Sequence, residues 1–325
     1  MSTSRHADAV FLDLDTMGAG DLDLAPLAEA VGGSLEVHGG TEPDEVAERI
    51  ANARLVFLNK VKLGRGELEA AGRLGFVGLT ATGVDNIDLA AASERGVVVA
   101  NIRDYCTHSV VQHVTGVMLA LTHRFAEYTA LVAAGDWQQA GNFCLLDYSI
   151  RELAGRRLGI VGYGALGRGV ARTGEALGME VLISERPGAG TIRPGRRAFR
   201  DVLTEADVLS LHCPLTAENR QLIDAEALAR MKPDAILINT ARGALVDTGA
   251  LAAALADGTI AGAGIDVLPQ EPPVDGDPLL DYRGDNLILT PHTAWAARES
   301  RQRAIGELAA NARAWLAGEP RNRVN

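Results

Sequence analysis

Residues Gly162-Tyr163-Gly164-Ala165-Leu166-Gly167 follow the apolar run Arg157 to Val161 and open a stretch of helical spacing from Ala165 to Leu177. No other feature of the chain restricts its backbone so strongly. Gly162 permits a tight strand-to-helix turn, Gly164 lets the backbone approach a phosphate, and Gly167 lets the helix pack closely on the sheet. The N–H groups of Gly164, Ala165 and Leu166 then face outward at the positive end of the helix, where a pyrophosphate is held. A second apolar run, Met179 to Ser184, ends at Glu185. A carboxylate there accepts hydrogen bonds from the adenosine ribose of NAD and repels the 2′-phosphate of NADP. Arg186, Arg193, Arg196 and Arg197 stand nearby. A guanidinium swinging onto a 2′-phosphate would admit NADP, so NAD is expected with NADP as the alternative.

A clasp at mid-chain implies that another domain precedes it, and 325 residues give room for two. Short apolar runs recur before it, at Ala9 to Leu12, Leu35 to His38, Leu55 to Leu58, Phe76 to Leu79 and Val97 to Ala100. Helical stretches separate them, which predicts a parallel sheet. The spacing from Ser109 to Ala134 predicts one long helix leading to the second domain. Gly135 to Arg151 reads as an irregular arm whose Trp137, Phe143 and Tyr148 face either a partner copy or the parent domain. Beyond the clasp, strands are expected at Val208 to His212, Ala235 to Asn239, Gly262 to Val267 and Leu287 to Thr290, with helices starting near Asp201, Asp224, Asp247 and Trp295. The last helix, Trp295 to Leu316, is long enough to return to the first domain. The expected architecture is therefore α/β, two Rossmann-like domains with parallel sheets. The dinucleotide-binding domain (105–296) is inserted into a discontinuous substrate domain (1–104 and 297–325).

The net charge of −11 argues against a nucleic-acid or anionic-membrane surface. No apolar run approaches the roughly 18 residues of a membrane span, and the N-terminus lacks the apolar core of a signal peptide. Cys106, Cys144 and Cys213 have no CxxC spacing, so neither a disulfide framework nor a zinc site is indicated. A soluble protein of the reducing cytoplasm is expected.

Ligands of an open parallel sheet collect at the carboxyl ends of its strands. Four groups of polar residues stand there: His212-Cys213-Pro214, Thr240-Ala241-Arg242-Gly243, Asp266 with Glu271 beyond it, and Pro291-His292. Reducing a 2-keto acid needs a cation to hold the carboxylate and polarise the ketone, and a proton donor at the carbonyl oxygen. Arg242 suits the first task through its fork of donors. His292 suits the second, with Glu271 orienting its imidazole and favouring the imidazolium. Each has a plainer reading: a surface ion-pair partner, a histidine bonded to backbone, a solvated loop acid. Periodicity alone does not separate His292 from His212 as the acid. Cys213, with no cationic neighbour in sequence, reads as apolar lining near the adenine.

The ordered segments Ala81-Thr82-Gly83-Val84-Asp85-Asn86-Ile87-Asp88, the clasp, His212-Cys213-Pro214-Leu215-Thr216, Ile238-Asn239-Thr240-Ala241-Arg242-Gly243, Gly264-Ile265-Asp266-Val267 and Pro291-His292 resemble the D-isomer-specific 2-hydroxyacid dehydrogenases over essentially the whole chain. The resemblance implies a flavodoxin-like substrate domain and the catalytic set Arg242, Glu271 and His292, which resolves the choice against His212. It implies that amides around Thr82, Gly83 and Val84 bind the substrate carboxylate, with Lys60 of Asn59-Lys60-Val61 on a second substrate-facing loop. Thr240, Ala241 and Asp266 would contact the nicotinamide end, Cys213 and Pro214 the adenine side, and Val110 would wall the nicotinamide site. One departure is Gln112, where many relatives carry Glu. The segments at 59–61, 143–148 and 292–295 are most similar to the glycerate dehydrogenase, or hydroxypyruvate reductase, branch. The implied activity is NAD-dependent reduction of hydroxypyruvate, and of glyoxylate, by a homodimer. A bulkier 2-keto acid and a non-catalytic NAD-sensing interaction protein are the alternatives.

Overall fold

Short runs composed almost wholly of apolar residues leave neither face suited to water, which suits the interior strands of a parallel sheet covered on both sides. The computed structural model describes residues 8–325, save the side chain of Ala19. It separates into a first unit, made of the chain up to Cys106 together with Ala296–Asn325, and a second, Thr107–Trp295.

In the first unit the strands are β1 (Ala9–Phe11), β2 (Leu35–Val37), β3 (Leu55–Leu58), β4 (Phe76–Leu79) and β5 (Val98–Ala100). They lie in the order β2-β1-β3-β4-β5, all pairs parallel. This is the flavodoxin-like order. Every residue of β1, β3 and β4 is buried. The helix Arg298–Leu316 packs on the helix Ala25–Ala30 and on β4. Its Leu308 presses on Gly78, where an added Cβ would lie 2.7 Å from Leu308 Cδ1. Trp315 meets Phe76 with ring centroids 5.5 Å apart. The C-terminal segment is tied in as well, Val324 N–H donating to the Val99 carbonyl at 2.9 Å.

The second unit holds β6 (Arg157–Val161), β7 (Glu180–Ile183), β8 (Val208–Leu211), β9 (Ile236–Asn239), β10 (Gly262–Ile265) and β11 (Leu287–Leu289). Their order is β7-β6-β8-β9-β10-β11, again all parallel. The winding reverses beside β6, between its neighbours β7 and β8, and the glycine turn leaves β6 at that point. Such a switch point is where open sheets bind ligands. Asp224 and Asp247 are helix N-caps, accepting from the amides of Ala227 and Ala250, and Asp201 lies in the first turn of Phe199–Glu205.

Three expectations are corrected. The long helix is two, Thr107–His123 and Phe125–Ala134, broken at Arg124 in the left-handed conformation (φ 56°). The arm contains a short helix, Asp136–Gln139. Its Tyr148 packs edge-on against Tyr128 of the same unit, with centroids 5.6 Å apart, whereas Trp137 and Phe143 are exposed. The last helix begins at Arg298 rather than Trp295, three residues late. Among the described residues no helix is long and apolar enough to cross a membrane.

Leu308 is fully buried. Leu308→Ala should destabilise the first unit by about 2–5 kcal/mol through lost transfer energy and the cavity left under β4. Urea unfolding followed by circular dichroism checks this; an unshifted midpoint would mean that the helix is not needed to cover the sheet.

Candidate active site

The turn after β6 is dictated by contacts that admit no side chain. A Cβ on Gly162 (φ 97°) would lie 2.5 Å from the Cys213 amide nitrogen, and one on Gly167 would lie 2.1 Å from the Gly162 carbonyl oxygen. A Cβ on Gly164 would meet nothing within 4 Å, so the space above it is clear. Gly164 caps the helix Ala165–Ala176 without a side-chain bond, which leaves the amides of Ala165, Leu166 and Gly167 for a ligand. The helix Thr107–His123 closes on this one at Gly169, where a Cβ would lie 2.6 Å from Val111 Cγ2. Val110, next along that helix, is buried.

Further along the carboxyl edge, the strand-end turns are held by buried polar side chains. Asn239, fully buried, accepts from the Ala241 amide at 3.0 Å and donates to the Arg242 carbonyl at 2.9 Å. That shapes the turn Thr240-Ala241-Arg242. Gly243 then abuts the 268–269 backbone, since a Cβ there would lie 2.0 Å from the Leu268 carbonyl carbon. Glu271 Oε1 accepts from the Leu268 amide at 2.9 Å, and Glu271 Oε2 lies 2.6 Å from His292 Nδ1. Arg242, Glu271 and His292 thereby line one cavity of about 180 Å³ with Leu215, Val267 and Pro269. The carboxylate fixes the ring through Nδ1 and leaves Nε2 as the proton-bearing tip when the ring is charged.

His292 sits at φ 55°, a conformation that costs a non-glycine residue energy and persists where its surroundings impose it. Its N–H donates to the Asp266 carbonyl at 2.8 Å, and its own carbonyl accepts from Trp295 Nε1 at 2.9 Å. The Asp266 carboxylate accepts from Thr290 Oγ1 at 2.6 Å, the Thr293 amide at 2.8 Å and the Ala294 amide at 2.9 Å. This buried acid therefore holds the loop that presents His292. His113 Nε2 lies 3.8 Å from it and 3.3 Å from Thr290 Oγ1. The sequence reading places Asp266 only at the cofactor; its role as a loop anchor, with His113 close by, comes from contacts distant in sequence.

Two buried polar atoms near the glycine turn and the strand ends have no partner, Thr240 Oγ1 and His212 Nδ1. Unpaired groups of this kind beside a clear glycine turn fit a dinucleotide, with Cys213 and Pro214 following His212 on the β8 side. Burial pushes the His212 pKa down to about 4, so at neutral pH it is uncharged, and its Nε2 is 2.9 Å from Ser210 Oγ. A neutral ring of this kind is no proton donor to a substrate. At the end of β7, the Arg193 guanidinium first, then the Arg186 amide, hold the Glu185 carboxyl at about 2.

The first unit carries the remaining sequence-derived residues. The buried Asp13, at the end of β1, accepts from the amides of Asn59 at 2.8 Å, Lys60 at 2.5 Å and Val61 at 2.9 Å. Asn86 Nδ2 donates to the Val61 carbonyl at 2.8 Å, joining that loop to the segment after β4. Lys60 itself is exposed. The Thr82 carbonyl accepts from Asn101 at 2.7 Å, while the amides of Thr82, Gly83 and Val84 donate to no other described residue. Three such amides in one turn suit an anion. The sequence signal for this anchor is an acid directly after an apolar strand, Phe11-Leu12-Asp13.

Residues 115–294 match the family described as D-isomer specific 2-hydroxyacid dehydrogenase, NAD binding domain. A glycerate dehydrogenase of Methylorubrum extorquens is 46% identical over 87% of this chain and 88% of its own. The chain belongs to the D-isomer-specific 2-hydroxyacid dehydrogenase family. A hydroxypyruvate reductase of Blautia hydrogenotrophica is 36% identical over 97% of this chain and 99% of its own. The crystal structure of the TT0316 protein from Thermus thermophilus superposes with a TM-score of 0.84 at 33% identity, covering 98% of this chain and 99% of that one. As a D-2-hydroxyacid dehydrogenase the chain is an oxidoreductase that uses a nicotinamide dinucleotide to reduce a 2-keto acid to the D-2-hydroxy acid.

His212 also gives the dehydrogenase a pH dependence of stability. Its folded pKa of about 4 lies below the 6.5 of an unhindered histidine. The unfolded chain therefore takes up the proton first. Stability is undiminished above about pH 6.5 and falls as pH drops towards 4, the loss reaching about 2 kcal/mol at pH 5. Denaturant midpoints at pH 7.5 and pH 5 should differ less in His212→Gln than in the parent; equal differences would show that this histidine is not the group responsible.

Proposed function

We propose that the substrate is hydroxypyruvate, with glyoxylate as a second, and that the products are D-glycerate and glycolate. The observation that carries this is the shared cavity of Arg242, Glu271 and His292, with the 2.6 Å Glu271–His292 contact at its edge. The names of the two relatives described above, a glycerate dehydrogenase and a hydroxypyruvate reductase, support the branch. The Arg242 fork binds the substrate carboxylate and polarises the ketone. On the first unit, the backbone amides at Thr82, Gly83 and Val84 and the ammonium of Lys60 are donors suited to a small carboxylate. The hydride for C2 would come from the nicotinamide ring once a dinucleotide is bound. His292 Nε2–H gives its proton to the carbonyl oxygen as the C2 bond forms, and Glu271 keeps the ring oriented.

Gly162, Gly164, Ala165, Leu166 and Gly167 would hold the pyrophosphate, and Thr240, Ala241, Asp266 and Val110 would lie at the nicotinamide end. Cys213 and Pro214 line the adenine side. The working form is a homodimer built through the arm, whose Trp137, Phe143, Leu146 and Ile150 are all exposed on the single chain. The three free cysteines suit a reducing, cytoplasmic compartment.

Steady-state rates with hydroxypyruvate, glyoxylate, pyruvate and branched 2-keto acids test the substrate, and a preference for the branched acids would overturn it. Arg242→Ala should lower kcat/KM about 10²- to 10³-fold while cofactor binding stays intact, and His292→Ala should lower kcat by about 10²- to 10⁴-fold. An unchanged kcat in His292→Ala would remove it as the acid. Light scattering should give twice the chain mass, and Phe143→Asp should shift it towards one; a monomeric parent would refute the arm's role.

A further inference from the structure

At the end of β7 the acid that should greet the cofactor's ribose already has a full set of donors. The Glu185 residue is only 3% exposed. Its Oε2 accepts from Arg193 Nε at 2.6 Å and from the Arg193 amide at 3.3 Å. Its Oε1 accepts from Arg193 Nη2 and from the Arg186 amide at 2.9 Å. A carboxylate has roughly four lone-pair sites, and here four N–H groups occupy them. Arg196 Nη1 stands 3.9 Å away and donates to the Ser184 carbonyl at 3.3 Å. The loop that delivers these arginines is fixed to the strand end: Glu185 N–H donates to the Arg197 carbonyl, and Arg197 N–H to the Ile183 carbonyl, both at 2.8 Å. The exposed guanidinium of Arg186 has no ion-pair partner among the described residues.

We propose that Arg193 is a specificity-determining residue that sets the choice between NAD and NADP. Clamped on Glu185, it competes with the ribose hydroxyls of NAD for the same carboxylate oxygens and cancels the charge that would repel a 2′-phosphate. With Arg186 and Arg196 it presents a cationic face to that phosphate, whose charge-assisted hydrogen bonds need no displacement of the clamp. An acid at this position ordinarily selects NAD. In this chain the clamp makes the site tolerant of both cofactors.

The inference rests on the dinucleotide reading of the glycine turn and not on the identity of the keto acid. Titration calorimetry with NADH and NADPH, without substrate, is therefore the test. The parent should bind the two within about tenfold of each other. Arg193→Ala should tighten NADH several-fold and weaken NADPH by about 10- to 100-fold, the scale of one charge-assisted hydrogen bond. Arg186→Ala should weaken NADPH alone. Arg193 is half exposed, so these variants should fold, and Arg193→Gln, with circular dichroism, provides a second check. A parent that binds NADPH a thousandfold more weakly than NADH overturns the proposal, as does an Arg193→Ala variant with an unchanged ratio. If neither nucleotide binds the parent, the reading of the turn falls together with it. If both bind within tenfold but no keto acid is reduced, the cofactor proposal stands and only the substrate assignment falls.

Discussion

The close approach of two backbones at the switch point of the second sheet is the constraint on which the functional edge depends. Gly162 lies against the His212–Cys213 peptide and Gly167 against Gly162, at distances no side chain allows. Those contacts bring the exits of β6 and β8 together and aim the first turn of the following helix over the sheet edge. A single methyl at either glycine would push the helix off its strand and move the amides of its first turn. The direction in which the helix leaves β6 is set by that one crowded turn.

Both units then use the same device beyond their strands. In each, a buried aspartate at the carboxyl end of a strand collects backbone N–H groups from a loop of another part of the chain. Asp13 gathers those of Asn59, Lys60 and Val61, and Asp266 gathers those of Thr293 and Ala294 with the Thr290 hydroxyl. A buried carboxylate without partners is costly, whereas one with three donors is a stiff anchor. It lets irregular backbone carry a functional group with little freedom to move. For His292 the anchor also sustains a left-handed backbone, which a loosely held loop would relax.

Most of the architecture was legible because parallel strands buried on both faces appear as uninterrupted apolar runs, and all eleven were found within a residue or two. The catalytic candidates were legible because chemistry collects at strand ends. What escaped depends on contacts distant in sequence. The break at Arg124 has no glycine or proline to announce it, and its side chain pairs with Glu127 and lies over the Tyr148 ring. Asp13 and His113 gain their meaning from loops 46 and 177 residues away. Glu185 and Arg193 were both noted, but spacing alone does not say that one closes over the other.

Chain order has a consequence for synthesis. The helix that covers β4 leaves the ribosome more than two hundred residues after that strand, so Phe76 and its neighbours appear without Leu308 and Trp315 to shield them. The second unit is contiguous and has all its strands before that helix exists. A nascent chain of this protein thus carries a finished dinucleotide domain beside an uncovered apolar sheet, a species prone to association. Slow translation of that helix would lengthen the life of this species.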